Sequence, residues 1–84
     1  MLALFGVRRK KMLAEAAKLR ALGETIRRYR KQAGLSQEKL AEKASLSTVF
    51  ISHVERGVEN ISVDSLARIA KALNTKLRNL FPGI

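Results

Sequence analysis

Residues 37–56, QEKLAEKASLSTVFISHVER, contain the pattern that decides the fold. A serine precedes each of two short helical patterns: Ser36 stands before Gln37, and Ser47 before Thr48. A serine at such a position can accept a hydrogen bond from the free amides at the start of a helix. Apolar residues recur behind each serine at the helical spacings of three and four. The stretch therefore predicts a helix-turn-helix whose second helix, at about residues 48–56, has a polar outer face.

A further helix precedes this motif. Leu22, Ile26, Tyr29 and Ala33 recur at helical spacing, so we expect them to form the buried face of that helix. Gly34 follows this face and can adopt the left-handed conformation that commonly ends a helix. The pattern predicts that the compact part of the chain begins near Leu22.

Two more helices are predicted after the motif. Ser62 can cap a helix from Val63 to Leu73, and Thr75 can cap a short last helix from Lys76 to Phe81. The β-branched residues are scattered and never alternate with polar ones, so no strand is expected. We therefore predict an all-α protein with five helices in residues 22–84, preceded by a basic and partly helical extension, residues 1–21.

Composition narrows the class of partner. The chain has 84 residues, which suits one domain, and it has 17 Lys and Arg against 7 Asp and Glu, a net charge of +10. Such a charge indicates a polyanionic partner. Only four aromatic residues are present, too few for single-strand binding by base stacking. Double-stranded DNA is the partner that fits this composition.

Composition also argues against several kinds of chemistry. The chain has no Cys and one His, so neither a disulfide framework nor a zinc site is expected. No base lies in reach of a serine nucleophile in the sequence pattern, so we expect no enzyme and no cofactor. Residues 1–7 are too short to span a membrane and precede their basic residues, unlike a secretory signal. A cytoplasmic protein is expected.

The extension, residues 1–21, carries six basic residues and one acidic residue, which is half of the net charge. Three interpretations remain open at this stage. The segment could be a solvated basic tail, or an arm that contacts phosphates or enters the minor groove. Alternatively, Met1 to Phe5 could pack against an apolar surface of a partner subunit or of lipid headgroups.

A long part of the sequence resembles a known family. AGLSQEKLAEKASLSTVFISHVERG (residues 33–57) and NISVDSLARIAKALN (residues 60–74) are similar to the Cro/C1-type, or XRE-like, helix-turn-helix domain. This family includes phage repressors, restriction–modification controller proteins and some antitoxins. The resemblance runs from about Leu22 to Phe81 and is most like controller proteins and small repressors. It implies the compact Cro/C1 (lambda repressor-like) fold and a DNA-binding transcriptional regulator, but it gives no target sequence.

The resemblance also assigns roles to residues of this chain. It implies that base edges are contacted from the second helix of the motif, by Thr48, Val49, Ser52 and His53. It implies that Gln37 contacts a phosphate and braces that helix, and that the backbone of DNA is also met by Ser47, Arg56 and Asn60. Arg27, Arg28 and Lys43 are added as phosphate neighbours because of their charge.

Two residues at the base-contacting positions differ from those that family members often use to recognise bases. Thr48 and Val49 stand where the family often has Gln, Arg or Asn. Val49 can make only apolar contacts, for example with a thymine methyl group, and Thr48 has one hydroxyl. We therefore expect DNA shape or the basic extension to add to direct readout. Phe50 is expected to be a partly buried core residue rather than a ring on the DNA backbone.

One ion pair is also implied by the resemblance. In relatives an Arg on the first helix pairs with the Glu that ends the recognition helix, and Arg30 and Glu55 match these positions. We expect a partly buried pair that ties the two helices together. The alternative is two separate surface charges, which would contribute little to stability.

The expected assembly is a homodimer on adjacent half-sites, because one such domain contacts only a few base pairs. Candidate residues for the dimer interface are Phe81, Ile84, Val58 and Ile61. The function predicted is a sequence-specific DNA-binding regulator, without a small-molecule effector domain and without a membrane partner. The alternative is an antitoxin-like or adaptor module whose main partner is a protein.

Overall fold

The computed structural model describes residues 2–81, with side chains from Glu15 onward. Ile84 and the side chains of Met1 to Phe5, for which contacts were predicted, lie outside this part. The described elements are helices α1 (Leu2–Gln32), α2 (Gln37–Ala44), α3 (Thr48–Glu55) and α4 (Val63–Ala72), and a 3-10 helix, Leu77–Leu80. Residues 2–81 contain no strand, and the predicted all-α helix-turn-helix class is confirmed.

Three helices begin at the serines that the sequence marked as caps. The hydroxyl oxygens of Ser36, Ser47 and Ser62 accept hydrogen bonds from the backbone amides of Lys39, Phe50 and Ser65, at 3.0, 3.0 and 3.1 Å. Each bond satisfies a donor that the first turn of a helix leaves free. The starts of α2, α3 and α4 are therefore set by local side-chain chemistry.

The turns between helices use left-handed backbone. Gly34 and Gly57, which follow α1 and α3, have φ angles of 72° and 73°. Ser45 in the turn of the motif and Asn74 after α4 adopt the same region, with φ angles of 56° and 55°. A left-handed residue lets the following amide bond back to the last turn of its helix. Leu46 does so, donating to the carbonyl of Ala41 at 2.9 Å.

Helix α1 is one continuous element that includes residues 21 and 22. The structure corrects three details of the predicted helices. Ala33 is exposed rather than buried, because α1 ends just before it. Thr75 does not cap the last helix; its hydroxyl accepts a hydrogen bond from the Asn79 side chain at 3.1 Å. That last element is a single 3-10 turn instead of an α-helix.

The core lies where α1, α2, α3, α4 and the 3-10 helix meet. Its centre consists of five fully buried aliphatic side chains: Ile26, Leu40, Ile51, Ile69 and Leu80. Each of the five elements contributes one of these residues, so none can be removed without opening the core. Tyr29 and Phe50 are half-buried and pack against this cluster, as predicted.

Helix α1 crosses the end of α3 at very short range. A Cβ atom at the buried Gly23 would lie 2.3 Å from the Val54 carbonyl oxygen and 2.7 Å from that of Glu55. These oxygens belong to backbone, which cannot move aside as a flexible side chain can.

Although α1 has 31 residues, no helix of the described residues combines the length and apolar character that a membrane crossing needs.

We expect Gly23→Ala to destabilise the fold. Alanine in place of glycine inside a helix normally stabilises by about 1 kcal/mol. At this site the added methyl group would push α1 away from α3, and such overpacking costs roughly 1–3 kcal/mol. Urea unfolding monitored by circular dichroism measures the difference in free energy of unfolding between the variant and the parent chain. The sign of this difference distinguishes overpacking from the usual gain in helix propensity. A variant as stable as the parent chain would contradict the close approach of α1 to α3.

Candidate nucleic-acid interface

Helix α3 presents a polar face to solvent. Thr48 and Val49 are exposed, Val49 by 63%, while Ser52 and His53 are half-exposed. The opposite face, with Ile51, Val54 and Glu55, is buried against the other helices. The four residues expected to contact bases therefore lie together on the open side of one short helix, where an incoming ligand can reach them.

The position of α3 depends on a buried ion pair with α1. The Nε atom of Arg30 donates to Oε2 of Glu55 at 2.6 Å, and its Nη2 atom donates to Oε1 at 3.0 Å. Both residues are buried, with 8% and 7% of their surface exposed. The two parallel hydrogen bonds fix the mutual orientation of the side chains as well as their separation.

Two further bonds complete this network. The Nη1 atom of Arg30 donates to the backbone carbonyl of Leu35 at 2.8 Å, and Nε2 of Gln37 donates to Oε1 of Glu55 at 3.1 Å. Within residues 15–81 no buried side-chain nitrogen or oxygen lacks a partner. Glu55 thus links α3 to α1 and to the start of α2, so the two helices of the motif share one anchor.

The start of α2 combines this anchor with free amides. Gln37 is the first residue of α2 and is half-buried. Its side chain is directed to Glu55, while the first-turn amides not taken by Ser36 remain available to an anion. An anion at this helix end would therefore bind close to the anchor that holds α3.

The other residues expected to contact phosphates lie on several different elements. Arg56 and Asn60 are exposed after the end of α3, and Arg27 and Arg28 are exposed on α1. The Ser47 hydroxyl oxygen already caps α3 and keeps its own hydrogen to donate. Lys43 is exposed near the end of α2 and lines a shallow groove with three α4 residues, namely Arg68, Lys71 and Ala72.

The expected dimer residues differ in exposure. Val58 is 61% exposed, whereas Ile61 and Phe81 are half-buried and pack against the core. Phe81 and Ile61 therefore serve the fold of the single chain as well as any contact with a second copy. Ile84 lies outside the described residues.

Sequence reasoning missed two contacts of this region. Nδ1 of His53 lies 3.6 Å from a carboxylate oxygen of Glu59, a residue to which no role was assigned. The close approach of α1 to α3 at Gly23 was also missed, although a glycine inside a helical pattern is a known sign of close packing. Gly23 and Val54 lie in different helices, and His53 and Glu59 lie in α3 and in the loop after it, so local periodicity reveals neither contact.

Comparison with known proteins identifies the class. A helix-turn-helix family model matches residues 26–80, which is more than half of the chain. The match contains the capped helices of the motif, the buried pair and the exposed face of α3. The chain belongs to the Cro/C1-type helix-turn-helix family, a family of DNA-binding transcriptional regulators.

Controller proteins are among the most similar relatives. Control protein C.SmaI of Serratia marcescens is 44% identical over 59 residues, which cover 70% of each chain. The crystal structure of the restriction–modification controller protein C.AhdI from Aeromonas hydrophila superposes with a TM-score of 0.77 at 38% identity, covering 77% of this chain and 98% of that one. The biofilm regulator SinR, solved in complex with DNA, gives a TM-score of 0.68 at 33% identity, covering 70% and 95%.

We expect Arg30→Met to be strongly destabilising. The substitution leaves the Glu55 carboxylate buried with only Gln37 as a side-chain partner, and orphaning one member of a buried pair costs about 3–5 kcal/mol. Chemical denaturation measures the loss. Arg68→Met is the matched control, since it breaks an exposed pair with Asp64 at 3.2 Å that is worth at most about 1 kcal/mol. Equal losses in the two variants would contradict the anchoring role of Arg30.

Proposed function

We propose that the protein is a sequence-specific regulator of transcription that binds double-stranded DNA as a homodimer, with α3 in the major groove. The observation that carries this proposal is the exposed polar face of α3, held by the buried network of Arg30, Glu55 and Gln37. A helix whose orientation is fixed can present its side chains to base edges in one register.

The proposed base contacts come from that face. Thr48 and Ser52 can donate or accept hydrogen bonds, His53 can donate from a ring nitrogen, and Val49 can pack on a thymine methyl group. Because Val49 is 63% exposed in the free chain, its burial in the groove would remove apolar surface from water. The set offers few bidentate contacts, so we infer that DNA shape contributes to selection.

The proposed phosphate contacts fix the position of α3 on the duplex. Gln37 and the free amides of α2 would bind one phosphate, with Ser47 next to it at the start of α3. Arg56 and Asn60 would bind the backbone beyond the other end of α3, and Arg27 and Arg28 would add charge from α1. Lys43, which is exposed and lines a groove beside α4, stays a further candidate for a phosphate contact because of its charge.

Dimerisation is part of the proposal because one α3 helix contacts few base pairs. Two copies related by a two-fold axis would bind half-sites about one helical turn apart. Val58, Ile61 and Phe81, with Ile84, are the residues proposed for the interface. The similarity to controller proteins supports a small regulator of this kind, which acts by binding in the cytoplasm and not by catalysis.

Selection of bound duplexes from a random pool tests the function directly. We expect a palindromic motif with half-sites about ten base pairs apart. Recovery of no motif, with binding that vanishes as salt rises, would overturn the proposal and leave only a polycation that binds any polyanion.

A search for a co-purifying protein would then test the adaptor alternative. Analytical ultracentrifugation at tens of micromolar, with a monomer as the contrary result, tests the dimer independently.

We expect His53→Ala and Arg28→Gln to have different effects on binding. Loss of a base contact should cost about 1–3 kcal/mol on the selected site and relax its sequence preference. Loss of a phosphate contact should weaken binding to all duplexes alike and lower the salt slope by about one. Titration of selected and scrambled duplexes at several salt concentrations separates the two. Identical behaviour of the variants would contradict the division of roles.

A further inference from the structure

One face of α1 lies along the end of the recognition helix. Arg20, Gly23, Arg27 and Arg30 are spaced by three, four and three residues, which places them on a common face of a helix. Gly23 approaches the last carbonyls of α3, and Arg30, in the last turn of α1, pairs with Glu55 at the end of α3. This face therefore contacts the C-terminal end of α3 between Gly23 and Arg30, which is about two turns of α1.

The contact continues beyond α3 at Gly57. A Cβ atom at Gly57 would lie 2.7 Å from the Cα atom of Arg20 and 2.9 Å from its backbone nitrogen. Gly57 itself has a φ angle of 73° and begins the segment that leads to Asn60. The backbone of Arg20 is therefore in direct contact with the turn that, under the proposed function, meets the sugar-phosphate backbone.

The Arg20 side chain is available to bind an anion beside this turn. It is exposed, and the ion pairs found among the described residues are formed by other side chains. It also lies N-terminal to residues 26–80, the part of the chain that matches the family model. A guanidinium group suits phosphate because its planar donors can bind two oxygens at once.

We propose that Arg20 is an additional phosphate-binding residue that extends the DNA-binding surface outward from the end of α3, a proposal that rests on the proposed function. Arg20 would bind the backbone beside the phosphate met by the Gly57–Asn60 turn. The contact carries no sequence information, but it adds affinity and helps to set the position of α3 in the groove. Because α1 and the Gly57 turn touch at the Arg20 backbone, the point from which the Arg20 side chain extends is already fixed before binding.

The test compares three variants with the parent chain by fluorescence anisotropy, using a selected and a scrambled duplex over a fourfold range of salt. Arg20→Gln removes the charge, Arg20→Lys keeps it, and Lys71→Gln removes the charge of another exposed residue, on α4. Each phosphate contact contributes about 0.9 to the slope of log affinity against log salt. From 50 to 200 mM salt, the parent chain should lose about 3.5-fold more affinity than Arg20→Gln.

The expected pattern is a reduced slope for Arg20→Gln on both duplexes, with unchanged slopes for Arg20→Lys and Lys71→Gln. The proposal is overturned if Arg20→Gln keeps the parental slope, if Lys71→Gln lowers it equally, or if Arg20→Lys behaves like Arg20→Gln. Thermal melting of each variant verifies that it is folded at the temperature of the titration. If the parent chain binds both duplexes alike, the proposed function fails, whereas the slopes still decide whether Arg20 contacts phosphate.

Discussion

The buried ion pair between Arg30 and Glu55 is the interaction on which the arrangement of helices depends. Its two hydrogen bonds, of 2.6 and 3.0 Å, join α1 to the last residue of α3. A buried pair of this kind is not strong evidence for net stability, because desolvation of both charges offsets their attraction. Its effect is on orientation: any rotation of α3 would separate the planar groups and leave Glu55 buried without its cation. The additional bond from Gln37 ties the start of α2 to the same carboxylate.

Glycine makes this arrangement sterically possible. At Gly23 and Gly57 a single methyl group would overlap backbone atoms of the element packed against it. Both contacts lie at the end of α3, so α1, α3 and the following turn form one closely packed junction. Backbone contact and a buried ion pair make this junction rigid. A helix that contacts base edges needs such rigidity, because its side chains must stay within about 0.5 Å of their binding geometry.

The charges of the molecule serve a different purpose from its core. The exposed Arg27 and Arg28 add positive charge to the surface of α1, and the exposed Arg56 adds positive charge at the end of α3. In our proposal these cations and Arg20 position the duplex, while the few polar groups of α3 discriminate between sequences. This division explains how a helix with Thr48 and Val49 at its start could still work as a reader, because much of the binding would come from phosphates.

Local chemistry in the sequence determined most of the fold. The caps at Ser36, Ser47 and Ser62 and the apolar spacing of each helix were readable because they involve neighbours within four residues, and the family resemblance supplied the expected partner of Glu55. Ala33 was predicted wrongly because α1 ends before it, and the last helix because its residues form a 3-10 turn that buries Leu80 in the core. Only the tertiary structure revealed the contacts of Gly23 and Gly57 and of His53 with Glu59. Such contacts join residues that share no local pattern, and their distances are set by how whole helices pack.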